Sequence, residues 1–487
     1  MNARSGQIAE MEAGPLLAGS PGSAFTSKLG FGLIAFAVLS LLLLNRPDWK
    51  LVDFDQPFYV TIAYDLDKHG VFSDGLFSGV DSTVAAPQPG LFFGPVFPLL
   101  VLAAMELDPR FAEAVRCSVE ADRGHRDGST CEAYARPIRL LNALLLAIGA
   151  VAAGSAAELI FGRRRRLFLL TGLAALAALA AETGIFSYVM TESAIFAIYS
   201  LFAWSVVLAW RTSRGSAYLM SGGLLGILCL TKPSFLALFP LIAGLSLLYG
   251  LRIARPRQPS TLMHVLMLSL AFAGVVGAWV ARNAVSVGKP ALTEEYGSAA
   301  LIERFAYDDM TAPEFVLAFP YCVPGIGDLF FDPVYGTDSM HRFVYHTPGS
   351  FFHVGRDRRD ALIEAHGRLD PLIGGIIRDE MATSWWRYLL VSIPLAWCGM
   401  WPGWIVSLLL LPTFVWACAR AVQERQPLFL MYSAPAVLML SLHAAVGNHY
   451  TRYNLILIGP YAAGFAWIML SAWRDAHWRW PFLAPRR

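Results

Sequence analysis

Two carboxylates, Asp53 and Asp55, stand at the point where the chain leaves its first long apolar run, Phe31 to Leu44. A carboxylate at a membrane surface can accept a proton from a reacting hydroxyl. It can also do no more than cap the helix that follows, since acids and prolines are favoured at helix starts and Pro57 lies two positions beyond Asp55. Beyond it, Asp55, Tyr59, Ala63, Leu66 and Gly70 recur at spacings of four, four, three and four, which places them on or near one face of a helix. Glu192, Lys232, Arg282 and Arg452 likewise sit at the ends of apolar runs. Each has a plain structural reading: Glu192 as a solvated cap, Lys232 as a snorkelling side chain, and the two arginines as interfacial anchors.

The elements that must position these residues are membrane helices. The chain has 487 residues, 56% hydrophobic and only 15% charged, with mean hydropathy +0.50. That composition is too apolar for a soluble protein of this size and predicts an all-α polytopic membrane protein. Ten apolar runs are expected to cross: 27–45, 137–161, 167–183, 189–210, 217–231, 233–251, 262–281, 403–419, 428–446 and 454–473. Two more, 91–107 and 385–401, are interrupted by Pro and Gly or open on Trp385, Trp386, Arg387 and Tyr388, and read as interfacial or re-entrant helices.

Charge sets the direction. The short loops 163–166, 211–214, 252–257 and 420–425 hold eleven Lys or Arg against one acid, Glu424, and by the positive-inside rule face the cytoplasm. Segments 47–136 and 282–385 carry more acids than bases and fall outside. The implied organisation is a cytoplasmic tail 1–26, a membrane core 27–281 with an external loop 46–136, a large external loop and interfacial helix 282–402, C-terminal spans 403–473 and a second tail 474–487. A net charge of +2 gives no footprint for nucleic acid. Of six cysteines, Cys229, Cys398 and Cys418 lie in or beside apolar runs and are expected to pack. Cys117 and Cys131 share one external loop and are either a bridge or two free thiols; no spacing suits a zinc site.

Five motifs, in order, resemble the polytopic GT-C glycosyltransferases of the protein O-mannosyltransferase and aminoarabinose (lipid A) transferase type. They are "DFDQPFYVTIAYDLDKHG", "YVMTESAIF", "LTKPS", "WVARNAVSVGKP" and "HYTRYNLILIGP". The family's first external loop usually carries a second acid where this chain has Gln56. The resemblance implies transfer of a sugar from a polyprenyl-phosphate donor to an envelope acceptor, such as lipid A, core oligosaccharide, another surface glycan or protein, on the outer face of a bacterial plasma membrane. It implies Asp55 as the base that takes the acceptor's proton, with Asp53 as a substitute and Glu192 positioning sugar or acceptor. It also implies Lys232, Arg282, Arg452 and Tyr453, together with Tyr59, as the substrate-binding set, and inversion at the anomeric carbon. A divalent metal is compatible with such a site, and no nucleotide cradle is present. A transporter or flippase of lipid-linked sugars, or a non-catalytic relative that binds them, remains the alternative.

Overall fold

The computed structural model describes residues 21–75, 87–123, 131–162, 165–254, 260–294, 297–335, 337–344, 347–366, 370–447 and 450–479. Within them the regular secondary structure is all helix, and the principal helices follow in chain order. They are α1 (Pro21–Leu44), α2 (Gln56–His69), α3 (Val96–Leu107), α4 (Pro109–Arg123), α5 (Arg136–Phe161), α6 (Arg165–Ala181), α7 (Glu192–Thr212) and α8 (Gly215–Thr231). There follow α9 (Pro233–Ile253), α10 (Thr261–Ser286), α11 (Gly297–Phe305), α12 (Ala312–Tyr321), α13 (Phe351–His366), α14 (Asp370–Gly399), α15 (Trp404–Gln423), α16 (Pro427–Val446) and α17 (Thr451–Arg474).

Eight of these, α1, α5, α7, α9, α10, α15, α16 and α17, are long and apolar enough to cross a membrane. The other two expected spans are α6 and α8, each of 17 residues, the lower limit for a hydrocarbon core about 30 Å thick. Helix α3 has 12 residues, a length of about 18 Å that cannot span. Helix α14 breaks at Ser384, where φ falls to −140°. Beyond the break Trp385, Trp386, Leu389 and Ile393 are exposed, the surface an interfacial helix presents to lipid.

Passing back and forth, the ten helices bring one set of ends together: the C-termini of α1, α6, α8, α10 and α16 and the N-termini of α5, α7, α9, α15 and α17. Both long segments, between α1 and α5 and between α10 and α15, emerge at this end. The first folds as α2–α4 over the bundle. Tyr59, Phe93, Phe97, Phe111 and Val115 form its core with Ile138 of α5 and Ala194 of α7. Arg139, almost fully buried, staples the exit from α1 by donating to the carbonyls of Arg46 and Pro47 at 2.8 and 2.6 Å. Asp65, fully buried, pairs with Arg123 at 2.8 Å and accepts from Ser73, locking α2 to the end of α4.

Two disulfides fasten the same end. Cys117 and Cys131 are bonded, with Cα atoms 5.7 Å apart. Cys398, expected only to pack, is instead bonded to Cys322, with Cα atoms 5.0 Å apart. The pairing was invisible in sequence because 76 positions separate the two. The packing of α12 against α14, including the bond from Trp397 Nε1 to the Phe319 carbonyl at 2.8 Å, creates it. Cys229 and Cys418 are free and packed, as their apolar surroundings suggest.

Candidate active site

The turn Asp53–Phe54–Asp55 is built under constraint. Phe54 adopts φ 56°, a left-handed backbone that costs an aromatic residue about 1–3 kcal/mol and persists only where its surroundings hold it. They do so through ring contacts of Phe54 with Tyr188 and Trp49, at 5.1 and 6.2 Å between centroids. Gln56 holds the turn from below. Its amide nitrogen, Nε2, donates to the carbonyls of Lys50 and Asp53 at 3.0 and 3.1 Å, and its Oε1 accepts from the Val189 amide at 2.9 Å. The residue that departs from the family pattern is thus an amide clamp between the first segment and the turn before α7. A carboxylate could keep only the Val189 bond. Gln56→Glu, buried against two carbonyls, is expected to lower stability by about 2–4 kcal/mol, measurable as a drop in the thermal midpoint of the detergent-solubilised protein.

The clamp leaves the Asp55 side chain free of helix duty. Asp55 occupies the N-cap of α2 but makes no side-chain cap bond. Its Oδ2 instead accepts from Arg452 Nη2 at 3.1 Å, across 397 positions of sequence. The same Nη2 donates to Tyr453 Oη at 2.9 Å, and Arg452 Nε lies 4.0 Å from Glu192 Oε1. One guanidinium therefore spans both candidate acids. Asp55 is 38% exposed, whereas Glu192 is buried at 6%. Among the described residues Glu192 Oε2 has no hydrogen-bond partner.

Lys232 completes the group. It is the C-cap of α8, where Pro233 stops the helix and turns the chain into α9. Gly94 packs directly on the carbonyl of Leu230, an approach that leaves no space for a Cβ, so the first segment fixes this turn. Lys232 Nζ lies 3.9 Å from the centre of the Tyr453 ring. Among the described residues it has no hydrogen-bond partner and no carboxylate within ion-pair distance. An ammonium held on a ring face with its donors unused, next to a guanidinium, is a ready site for an anion.

Of the sequence candidates, Asp55, Glu192, Lys232, Arg452 and Tyr453 thus converge. The others serve elsewhere. Asp53 accepts from the Lys50 amide at 3.2 Å and shapes the turn. Tyr59 is buried against Phe93 and Phe97 at 5.1 and 5.0 Å. Arg282 donates to the carbonyls of Gly90 and Phe72 at 2.6 and 3.1 Å and lies 4.9 Å from the Trp279 ring, stapling the first segment to α10; no contact joins it to Arg452. His449 lies outside the described residues. Two members went unread in the sequence, His443 of α16 and Asn454 of α17, whose Nδ1 and Oδ1 are 3.0 Å apart. His443 looked like any apolar-helix histidine, although its place at the same helix ends as Arg452 was a usable signal. Among the described residues no group of three or more His, Cys, Asp or Glu is placed to hold a metal ion. With Arg452 lying between Asp55 and Glu192, the donor set does not fit a tightly held divalent cation.

Fold and site together define a polytopic helical membrane protein with a paired-charge cluster gathered at one end of the bundle. No family model matches the sequence, and no curated protein matches it. Among solved structures, the chain is similar to the archaeal oligosaccharyltransferase of Archaeoglobus fulgidus. One such structure, AglB in complex with an inhibitory peptide and a dolichol-phosphate, has 9% identity and TM-score 0.47, covering 94% of this chain and 52% of that one. Another, in complex with zinc and sulfate, has 11% identity and TM-score 0.44, covering 93% and 50%. The chain spans about half the length of the oligosaccharyltransferase it matches.

Proposed function

We propose that the protein is a glycosyltransferase that moves a sugar from a polyprenyl-phosphate donor to an envelope acceptor. One observation carries the reading: an accessible carboxylate, Asp55, is paired with Arg452, and the Tyr453 ring that accompanies that guanidinium carries a second cation, Lys232, on its face. That is the set a displacement at a phosphate-linked anomeric carbon needs. The acceptor oxygen attacks the anomeric carbon and its proton passes to Asp55. The bond from that carbon to the phosphate oxygen breaks, and the phosphate leaves as an anion neutralised by Arg452 and Lys232. A single displacement inverts the anomeric centre and leaves no sugar on the protein.

The charge cluster sits at helix ends, where a lipid phosphate rests when its tail lies in the bilayer. A transporter would concentrate its charges nearer mid-membrane. Both disulfides occupy this same end, and such bonds persist in oxidising compartments. This supports an active face directed to the periplasm or exterior of a bacterial plasma membrane.

The test is binding of undecaprenyl phosphate to the purified protein. Lys232→Gln should weaken it about 10-fold, the scale of one hydrogen bond to a charged group. Unchanged affinity in that variant, or no binding by the wild type, contradicts the phosphate assignment.

A further inference from the structure

We infer that His443 is a specificity-determining residue, whose Nε2 accepts a hydrogen bond from a hydroxyl of the sugar being transferred. The inference rests on the glycosyltransferase reading above and adds to it the residue that senses the sugar.

The argument starts from the partner of His443. Asn454 Oδ1 can only accept, so at 3.0 Å the imidazole Nδ1 must donate to it. In the neutral ring this leaves a lone pair on Nε2. Asn454 itself is fixed. It is buried at 2% and belongs to the short helical turn Thr451–Leu457 that carries Arg452 and Tyr453. Gly399 passes so close that a Cβ there would stand 2.5 Å from Asn454 Nδ2. The tautomer is therefore set by the same turn that sets the cations.

Nε2 is buried and, among the described residues, has no hydrogen-bond partner. A buried acceptor left unpaired is costly, and such groups gather where a ligand supplies the missing donor. A phosphodiester has no donor to offer, so His443 does not serve the phosphate. A sugar hydroxyl does. The ring lies 5.7 Å from that of Tyr453, the ring over which Lys232 sits. This places His443 beside the proposed phosphate and next to the group that phosphate carries. Asp55 shares Arg452 Nη2 with the Tyr453 hydroxyl and is 38% exposed, so an acceptor hydroxyl enters from its open side. Glu192 Oε2 is a second buried acceptor at the cluster, unpaired among the described residues, so the donor pocket holds two acceptors for hydroxyls beside two cations for phosphate.

The experiment compares the full chain in nanodiscs with His443→Gln and His443→Leu. The probes are bare undecaprenyl phosphate and a panel of undecaprenyl phosphates carrying single hexoses or pentoses. Wild type should bind at least one glycosylated lipid more tightly than the bare lipid phosphate. His443→Leu should lose on the order of 10-fold for that lipid while binding bare undecaprenyl phosphate as wild type does. His443→Gln, which retains a side-chain acceptor, should recover part of the loss. An equal loss for both kinds of lipid in His443→Leu and His443→Gln makes His443 a structural member of the bundle and overturns the inference. So does unchanged affinity for every lipid. A loss seen only in the concentration of acceptor needed for transfer would assign His443 to the acceptor instead. Failure of wild type to bind bare undecaprenyl phosphate fails the phosphate reading itself, a result separate from any behaviour of the His443 variants.

Discussion

Asp55→Asn is expected to fold, insert and bind the lipid-linked donor as wild type does, and to transfer sugar on the order of 10²-fold more slowly, the usual scale for loss of a general base. The structure sharpens this expectation. A cap role would make Asn an adequate substitute and Ala a damaging one, at about 0.5–2 kcal/mol. Because the Asp55 side chain makes no cap bond, Asp55→Ala should match Asp55→Asn in activity and differ from it in stability only by the bond from Arg452 that Asn can still accept. Single-turnover transfer, read beside a thermal melt, separates the two roles. An Asn variant with wild-type turnover removes Asp55 from the chemistry.

Arg452→Lys should act on the other side of the reaction. The guanidinium reaches Asp55, Tyr453 and Glu192 at once, and an ammonium on a flexible stem cannot reproduce that planar fork. Retaining the charge, the variant should still fold. Its affinity for undecaprenyl phosphate should fall on the order of 10²-fold, as when charge-assisted hydrogen bonds to an anion are lost. The pair of variants is informative together: Asp55→Asn lowers turnover at constant donor affinity, whereas Arg452→Lys lowers donor affinity first. Identical profiles for both would mean that the ion pair only holds the helices together.

Much of the fold was legible because a bilayer imposes simple demands. Apolar runs of spanning length and basic short loops fix which helix ends meet, and so place Asp55, Glu192, Lys232 and Arg452 at one end before any contact is known. What the sequence could not show was which of the charges there turn toward one another. Arg282 and Arg452 look alike at helix ends, yet one is consumed by backbone carbonyls and the other is paired with Asp55 and faces Glu192. That difference depends on where residues 71–75 and 87–92 lie against the bundle, in stretches that carry no periodic signal. Gln56 read as a departure from a catalytic pair and proves to be a three-bond clamp. The bridge between Cys322 and Cys398, 76 positions apart, and the link between His443 and Asn454, on the adjoining helices α16 and α17, are products of tertiary packing, for which local pattern has no mark.

The most direct test reconstitutes the purified protein in proteoliposomes with undecaprenyl-phosphate-linked sugars and an envelope extract as acceptor, and follows the lipid. The account predicts that wild type releases undecaprenyl phosphate from one of these donors, that the sugar appears on the acceptor with inverted anomeric configuration, and that Asp55→Asn releases at least about 10²-fold less. Movement of an intact lipid-linked sugar across the bilayer with no release of undecaprenyl phosphate, or release undiminished in Asp55→Asn, would contradict it.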